Sequence, residues 1–255
     1  MNAFVEILNL NMKYQSPDGE IDAIRDVSFD VSEGEFVSVI GPSGCGKSTL
    51  LSIIAGLLPP TGGKILINGK DAALSQNMIG YMLQKDSLFE WRTIYQNVTL
   101  GLEIKKMKTK ENLEYVDEIL NTYGLYEFKD KHPSQLSGGM RQRAALIRTL
   151  VVRPSLLLLD EAFSALDYQT RLSVVDDIYG IIKQEKKTAI MVTHDISESI
   201  SVSDRVVVLT KRPATVKAIH PITFAGGRTT PFSAREQPEF KDYFNTIWRD
   251  VDAHI

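Results

Sequence analysis

The chain is 255 residues long, 43% hydrophobic and 24% charged, with a formal net charge of −3. That length can bury a full core, as one large domain or a core with a subdomain, and the near-balanced charge provides no field to draw in nucleic acid or anionic lipid. The single cysteine excludes an internal disulfide and suits a reducing compartment; no stretch reaches the eighteen or so apolar residues of a membrane span, and the N-terminus does not read as a signal peptide, so a soluble, cytoplasmic chain is expected.

Residues 4–10 alternate enough for a strand, and Tyr14 follows; residues 15–20 are a turn and 21–31 a further strand, predicting an antiparallel N-terminal sheet. After Ser32-Glu33-Gly34 comes a short apolar, β-branched run, 35–40, that reads as a buried strand. It feeds Gly41-Pro42-Ser43-Gly44-Cys45-Gly46-Lys47-Ser48-Thr49, which fits G-x-x-x-x-G-K-[ST]. Leu50, Leu51, Ile53, Ile54, Leu57 and Leu58 then carry a helical stripe closed by Pro59-Pro60. Strand, glycine loop and helix make a phosphate cradle: the glycines let successive N–H groups turn inward on an anion, and the new helix aims its positive end at the same point. Lys47 is expected on the β- and γ-phosphates of a nucleoside triphosphate and the Ser48 hydroxyl on Mg²⁺. Cys45 holds a variable position of the motif; beside a helix N-terminus its thiol is expected to have a lowered pKa, and its alkylation to block nucleotide binding.

Residues 61–69 read as turn, strand and hairpin turn, and 79–84 as a short strand ending on Gln84. From Leu88 to about Leu150 the character is helical. The basic run 105–110 reads as a solvated loop, Leu113, Val116, Ile119, Leu120 and Tyr123 mark one helix face, and a second helix spans about 139–150. Parallel α/β patterning then resumes. Residues 156–159, 188–192 and 205–209 are continuous apolar strands of the kind covered on both faces, and Leu172, Val175, Ile178 and Ile182 mark a helix. After Arg212-Pro213 the pattern weakens, 225–231 looks like a loop, and 238–251 predicts an amphipathic helix packed on the chain's own core.

Asp160-Glu161 follows strand 156–159 directly. Ligands of open α/β sheets lie outside the carboxyl ends of the strands, so Asp160 can reach the Mg²⁺ and Glu161 can take a proton from attacking water. His194 arrives at the same edge after strand 188–192, whereas His132, His220 and His254 read as solvated loop residues. Gly138-Gly139 opens the helix bearing Arg141 and Arg143 and is a second anion-ready N-terminus. A single nucleotide needs only one such end.

Taken together, these pieces resemble the ATP-binding subunit of an ABC transporter over about residues 5–213. The motifs fall in family order: the Walker A loop 41–48, the Q-loop glutamine Gln84, the signature Leu136-Ser137-Gly138-Gly139-Met140, the Walker B strand ending on Asp160 with Glu161 beside it, the D-loop Ser164-Ala165-Leu166-Asp167, and the H-loop His194. Tyr14 matches the aromatic residue that stacks on adenine. Met140 stands where glutamine is commoner, and Ile147-Arg148-Thr149-Leu150 replaces the usual Ala-Arg-Ala-Leu. Phe89-Glu90-Trp91-Arg92-Thr93 and Thr210-Lys211-Arg212-Pro213 are similar to segments of importers of the nitrate, sulfonate and taurine group, and residues 240–248 to their C-terminal helix.

The resemblance implies a P-loop NTPase fold of the α/β class: a RecA-like core with an N-terminal antiparallel β subdomain and an inserted α-helical subdomain. Residues 1–220 would be the ATPase domain, with its core at 1–85 and 151–220 and its helical subdomain at 86–150; residues 221–255 would be a C-terminal extension. It further implies ATP and Mg²⁺ as cofactors and a head-to-tail homodimer, in which Ser137, Gly138, Gly139, Met140 and Asp167 face the partner's nucleotide. Glu161 would be the general base, His194 the γ-phosphate switch, and Gln84, with Ser48 and Asp160 at the metal, the sensor coupled to a separate permease. Trp91 fits either a core anchor or a permease contact. An importer subunit at the inner face of the membrane, fed by an extracytoplasmic binding protein and not touching nucleic acid, is the expectation; an exporter subunit, or a soluble ATPase acting on nucleic acid, is the alternative. The transported solute leaves no trace in this chain.

Overall fold

The computed structural model describes residues 3–17, 19–164 and 166–252; Ala165 of the D-loop segment and His254 lie outside them. The chain opens with β1 (Val5–Ser16), β2 (Gly19–Val31), β3 (Phe36–Ile40) and α1 (Lys47–Ile54). Strands β4 (Gly62–Ile67), β5 (Lys70–Asp71) and β6 (Ile79–Met82) follow, then helices α2 (Ile94–Val98), α3 (Leu100–Ile104), α4 (Lys110–Thr122) and α5 (Gly138–Leu150). β7 (Leu156–Asp160), α6 (Tyr168–Gln184), β8 (Thr188–Val192), α7 (Ile196–Val202) and β9 (Arg205–Leu209) complete the alternating part. β10 (Val216–Pro221), α8 (Pro231–Arg235) and α9 (Pro238–Asp252) end the chain.

The expected antiparallel N-terminal sheet is present, with order β2-β1-β4-β5. The second sheet runs β10-β9-β3-β8-β7-β6, and its members from β9 to β6 are all parallel. Parallel strands need cover on both faces, and the unbroken burial of β3 and β8 matches their unbroken apolar runs. One face packs Val37, Val39, Leu156, Leu158 and Ile190 with α1 and the N-terminal sheet. The other packs Phe36, Leu157, Leu159 and Met191 with α4, α5 and α6. Each such Leu or Ile contributes about 1.5–3 kcal/mol by leaving water. The mixed architecture is that of a P-loop NTPase.

Several local expectations change. Helix α1 ends at Ile54, so Leu57 falls outside the stripe and is 67% exposed. β10, an edge strand, carries no strand signal in the sequence: it pairs only with β9 among the described strands, none of its residues is buried, and it lacks an apolar run. His220 sits on this strand rather than in a solvated loop, with Nε2 2.7 Å from Asp250 Oδ2 of α9. Ile247 of α9, with Phe240, Tyr243, Phe244 and Val251, packs on Ile196, Ile200, Val206 and Val208, as its amphipathic pattern predicts. Arg228 secures the same region: its guanidinium donates to the Ser203 carbonyl, faces Asp204 and lies over the Phe224 and Tyr179 rings.

Candidate nucleotide site

Parallel strands deliver their following residues to one edge, so the sheet order dictates which side chains meet. β3 leads into the glycine loop, β7 ends on Asp160, and β8, β6 and β9 are followed by His194, Gln84 and Arg212. The loop turns into α1 through Gly46, whose φ of +122° is open to glycine and strained for any other residue. Lys47 therefore begins the helix. It is only 6% exposed, and its ammonium donates to the loop carbonyls of Gly41 and Pro42 at 2.8 and 3.1 Å. A cavity of about 190 Å³ is lined by loop residues 43–44 and 46–49 together with Glu161 and Arg212. Tyr14 reaches the loop from β1, with its hydroxyl 3.2 Å from Thr49 Oγ1.

Asp160 is gripped by two hydroxyls. Ser48 Oγ donates to Oδ1 at 3.0 Å, and Tyr81 Oη donates to Oδ2 at 3.2 Å. Burial pushes the Asp160 carboxyl upward, and these two hydrogen bonds oppose that rise. Tyr81 is pushed up to about 12, first by burial and then by the Asp160 charge, so it remains a donor at any working pH. Register explains the contact: Tyr81 lies opposite Leu158, and two residues further along the strand Asp160 returns to the same face. The signal was in the strand pairing rather than in any motif.

Glu161 adopts φ +46°, a left-handed conformation uncommon outside glycine. Its N–H donates to Val192 of β8 and its carbonyl accepts from the Ser164 hydroxyl at 2.9 Å. The side chain is thereby set between His194 Nδ1 at 3.3 Å and Gln84 Nε2 at 3.4 Å, and Gln84 also donates to Ser164 Oγ at 3.1 Å. His194 follows Thr193, whose hydroxyl donates to the buried Glu198; burial pushes that carboxyl up to about 7. Just after Gln84 the chain is tied to α5: Arg141 Nε donates to the Asp86 carboxylate at 3.1 Å, and Arg148 donates to the Asp86 and Ser87 carbonyls at 2.7 Å.

The second expected anion site stands apart. Ser137 caps α5 by accepting from the Met140 N–H, and Gly138 and Gly139 form its first turn. None of these residues lines the cavity beside Lys47. A Cβ at Gly139 would lie 2.8 Å from the Val174 methyl of α6, so close helix packing demands glycine there. Asp167 caps α6 by accepting from the Thr170 N–H at 3.1 Å, and the Thr170 hydroxyl first, then this N–H, hold its carboxyl below the usual range.

Two expectations are corrected. Cys45 points into the core, 1% exposed, and burial pushes its thiol up rather than down. It should therefore resist iodoacetamide in the folded protein and react after denaturation; rapid native labelling, measured by mass spectrometry, would contradict this. Trp91 is no core anchor: it is 73% exposed and leans on Phe89, with ring centroids 4.8 Å apart.

The donors suit a hard, oxygen-loving cation. The Ser48 hydroxyl and the Asp160 carboxylate meet at 3.0 Å. Two such oxygens would fit Mg²⁺, which takes one or two protein oxygens plus substrate phosphates.

Strand, glycine loop and carboxylate edge define the class as a P-loop ATPase. The family model described as "ABC transporter" matches residues 24–164. Over 251 residues the chain is 45% identical to an uncharacterized ABC transporter ATP-binding protein, YtlC, of Bacillus subtilis, covering 98% of this chain and 96% of that one. It is 37% identical to the taurine import ATP-binding protein TauB of Roseobacter denitrificans, with 98% and 96% covered. Among solved structures it resembles a dimeric, post-hydrolysis ATP-binding cassette, MJ0796, bound to ADP and Pi, with a TM-score of 0.72, 31% identity, and 86% of this chain and 98% of that one covered. The chain belongs to the ABC transporter family and is its ATP-binding, ATP-hydrolysing subunit.

Proposed function

We propose that this chain energises uptake of a small solute through a separate transmembrane permease, as a homodimer in which each ATP is shared between two chains. The observation that carries the dimer is the separation of its two anion-ready helix ends: Lys47 begins α1 at the cavity, while Ser137 caps α5 outside its lining. A head-to-tail pair closes one chain's end over the other's nucleotide, and Ser137, Gly138, Gly139, Met140 and Asp167 then face the partner's ATP. The solved relative MJ0796 is itself a dimer, which supports the arrangement.

At each site Lys47 and the loop N–H groups hold the triphosphate, and Tyr14 stacks on adenine, worth roughly 1–3 kcal/mol. Ser48, Asp160 and Gln84 hold Mg²⁺, which when bound neutralises charge on the transferring phosphoryl group. Glu161 accepts the proton of the attacking water, and His194 and Gln84 position it at the γ-phosphate. Residues 86–150 form the helical subdomain that receives the permease, and residues 221–255 are an extension outside the ATPase domain proper.

The importer reading rests on the taurine import relative. Among the described residues no helix is long and apolar enough to cross a membrane; in this reading the permease is a separate chain and the motor sits against it on the cytoplasmic face. Leu83 and Trp91, on either side of Gln84, are 46% and 73% exposed and suit such a docking surface. Tagged protein isolated from membranes in mild detergent should bring down a multi-span permease, and Trp91→Ala should lower that recovery several-fold. Recovery only from the soluble fraction, with nucleic acid attached, would overturn the reading.

A further inference from the structure

Strand β9 delivers one more charged group to the catalytic edge, and none of the motifs accounts for it. Its following turn is rigidly tied. Thr210 N–H donates to the Thr215 carbonyl at 3.0 Å, and Thr215 N–H donates to Thr210 Oγ1 at 2.9 Å. The turn is also stitched to β2, because Ala214 N–H donates to the Ala23 carbonyl at 3.0 Å and Arg25 N–H donates to the Ala214 carbonyl at 2.9 Å. This frame holds Arg212 over the glycine loop, where its guanidinium donates to the Gly44 carbonyl at 3.0 Å and lines the cavity with Lys47, Ser48 and Glu161.

A guanidinium carries five N–H donors, and the Gly44 carbonyl is its one hydrogen-bond acceptor among the described residues. No salt bridge involves Arg212 there either, unlike Arg205 with Glu35 or Arg228 with Asp204. Its charge is felt inside the loop, where with that of Lys47 it opposes the burial-driven rise of the Cys45 thiol. An uncompensated cation with spare donors, fixed beside a phosphate cradle, calls for an anion.

The geometry points to Arg212 as a second cationic ligand of the nucleotide's polyphosphate, joining Lys47 in the lining of the same cavity. The assignment rests on the glycine loop being the nucleotide site. It gives the Thr210–Pro213 segment a function in binding rather than in packing. The alternative is that Arg212 only braces the loop through Gly44, a role any hydrogen-bond donor of similar reach could fill.

Calorimetric titration of the full-length chain with ATP separates the two. Arg212→Gln keeps an N–H donor for Gly44 but removes the charge. It should bind ATP about 10- to 150-fold more weakly at low salt, the scale of one lost charge-assisted hydrogen bond. Arg212→Lys should stay within about threefold of the natural protein. The Gln deficit should shrink in roughly 0.5 M salt, because exposed charges are screened there, and the melting temperature should be unchanged. Natural affinity in Arg212→Gln, or a deficit that persists at high salt, would overturn the assignment and leave a bracing role. Lys47→Ala serves as the control: if that variant also binds ATP normally, the loop reading itself has failed, not only the role of Arg212.

Discussion

Replacing Glu161 by Gln is expected to lower ATP turnover by about 10²–10⁴-fold, the usual worth of a positioned general base, while ATP stays bound. The substitution is nearly isosteric, and its amide oxygen can still accept from Gln84, whose amide lies 3.4 Å from the present carboxylate. The left-handed backbone at this position, φ +46°, is tolerated as well by Gln as by Glu. The Ser48–Asp160 contact and Lys47 are untouched, so triphosphate binding survives. With binding intact and hydrolysis blocked, the ATP-shared dimer should accumulate. Phosphate release should fall to near background, and light scattering should show a dimer with ATP but not with ADP. Near-normal turnover would remove Glu161 from the base role; slow turnover without dimer accumulation would argue against the shared site.

Much of this arrangement was legible in sequence because short apolar runs bounded by turn residues suit buried parallel strands. Residues 156–159 and 188–192 have no polar residue but the strand-opening Thr188, and such runs have nowhere to sit but a doubly covered sheet. Once those strands are placed, whatever follows them must meet at one edge, so Asp160, Glu161 and His194 could be gathered with Lys47 without coordinates, while Gln84 was added by the family resemblance. What stayed hidden depends on pairing across the chain. Tyr81 touches Asp160 only because β6 pairs with β7 in the register Tyr81–Leu158. Arg212 reaches Gly44 only because the turn after β9 is stitched to β2. The Cys45 error has a related cause: its position beside a helix start was clear, but which way its side chain points depends on a core built from distant strands. β10 was missed because an edge strand can be polar on both faces.

Lys47→Ala is expected to weaken ATP binding by roughly 10²–10³-fold, since an ammonium–phosphate interaction involves charge-assisted hydrogen bonds worth about 1.5–3 kcal/mol each. The residue is 6% exposed and donates to the Gly41 and Pro42 carbonyls, so the variant also leaves two loop acceptors without their partner. That structural cost is bounded. Unmet acceptors cost about 1–3 kcal/mol each where water cannot reach them; that applies to the buried Gly41 carbonyl, whereas Pro42 is half-buried beside a cavity that opens to solvent. A loss near 1 kcal/mol lowers the melting temperature of a protein this size by about 2–4 °C. The two effects are thus separable in magnitude: near-complete loss of ATP binding in calorimetry with a melting temperature only a few degrees lower. Unchanged ATP affinity would remove the glycine loop from the phosphate site. A collapse in melting temperature would instead show that Lys47 holds the loop together, and the Ser48→Ala variant would then test the site, because it removes a hydroxyl from the Asp160 contact without opening the loop carbonyls.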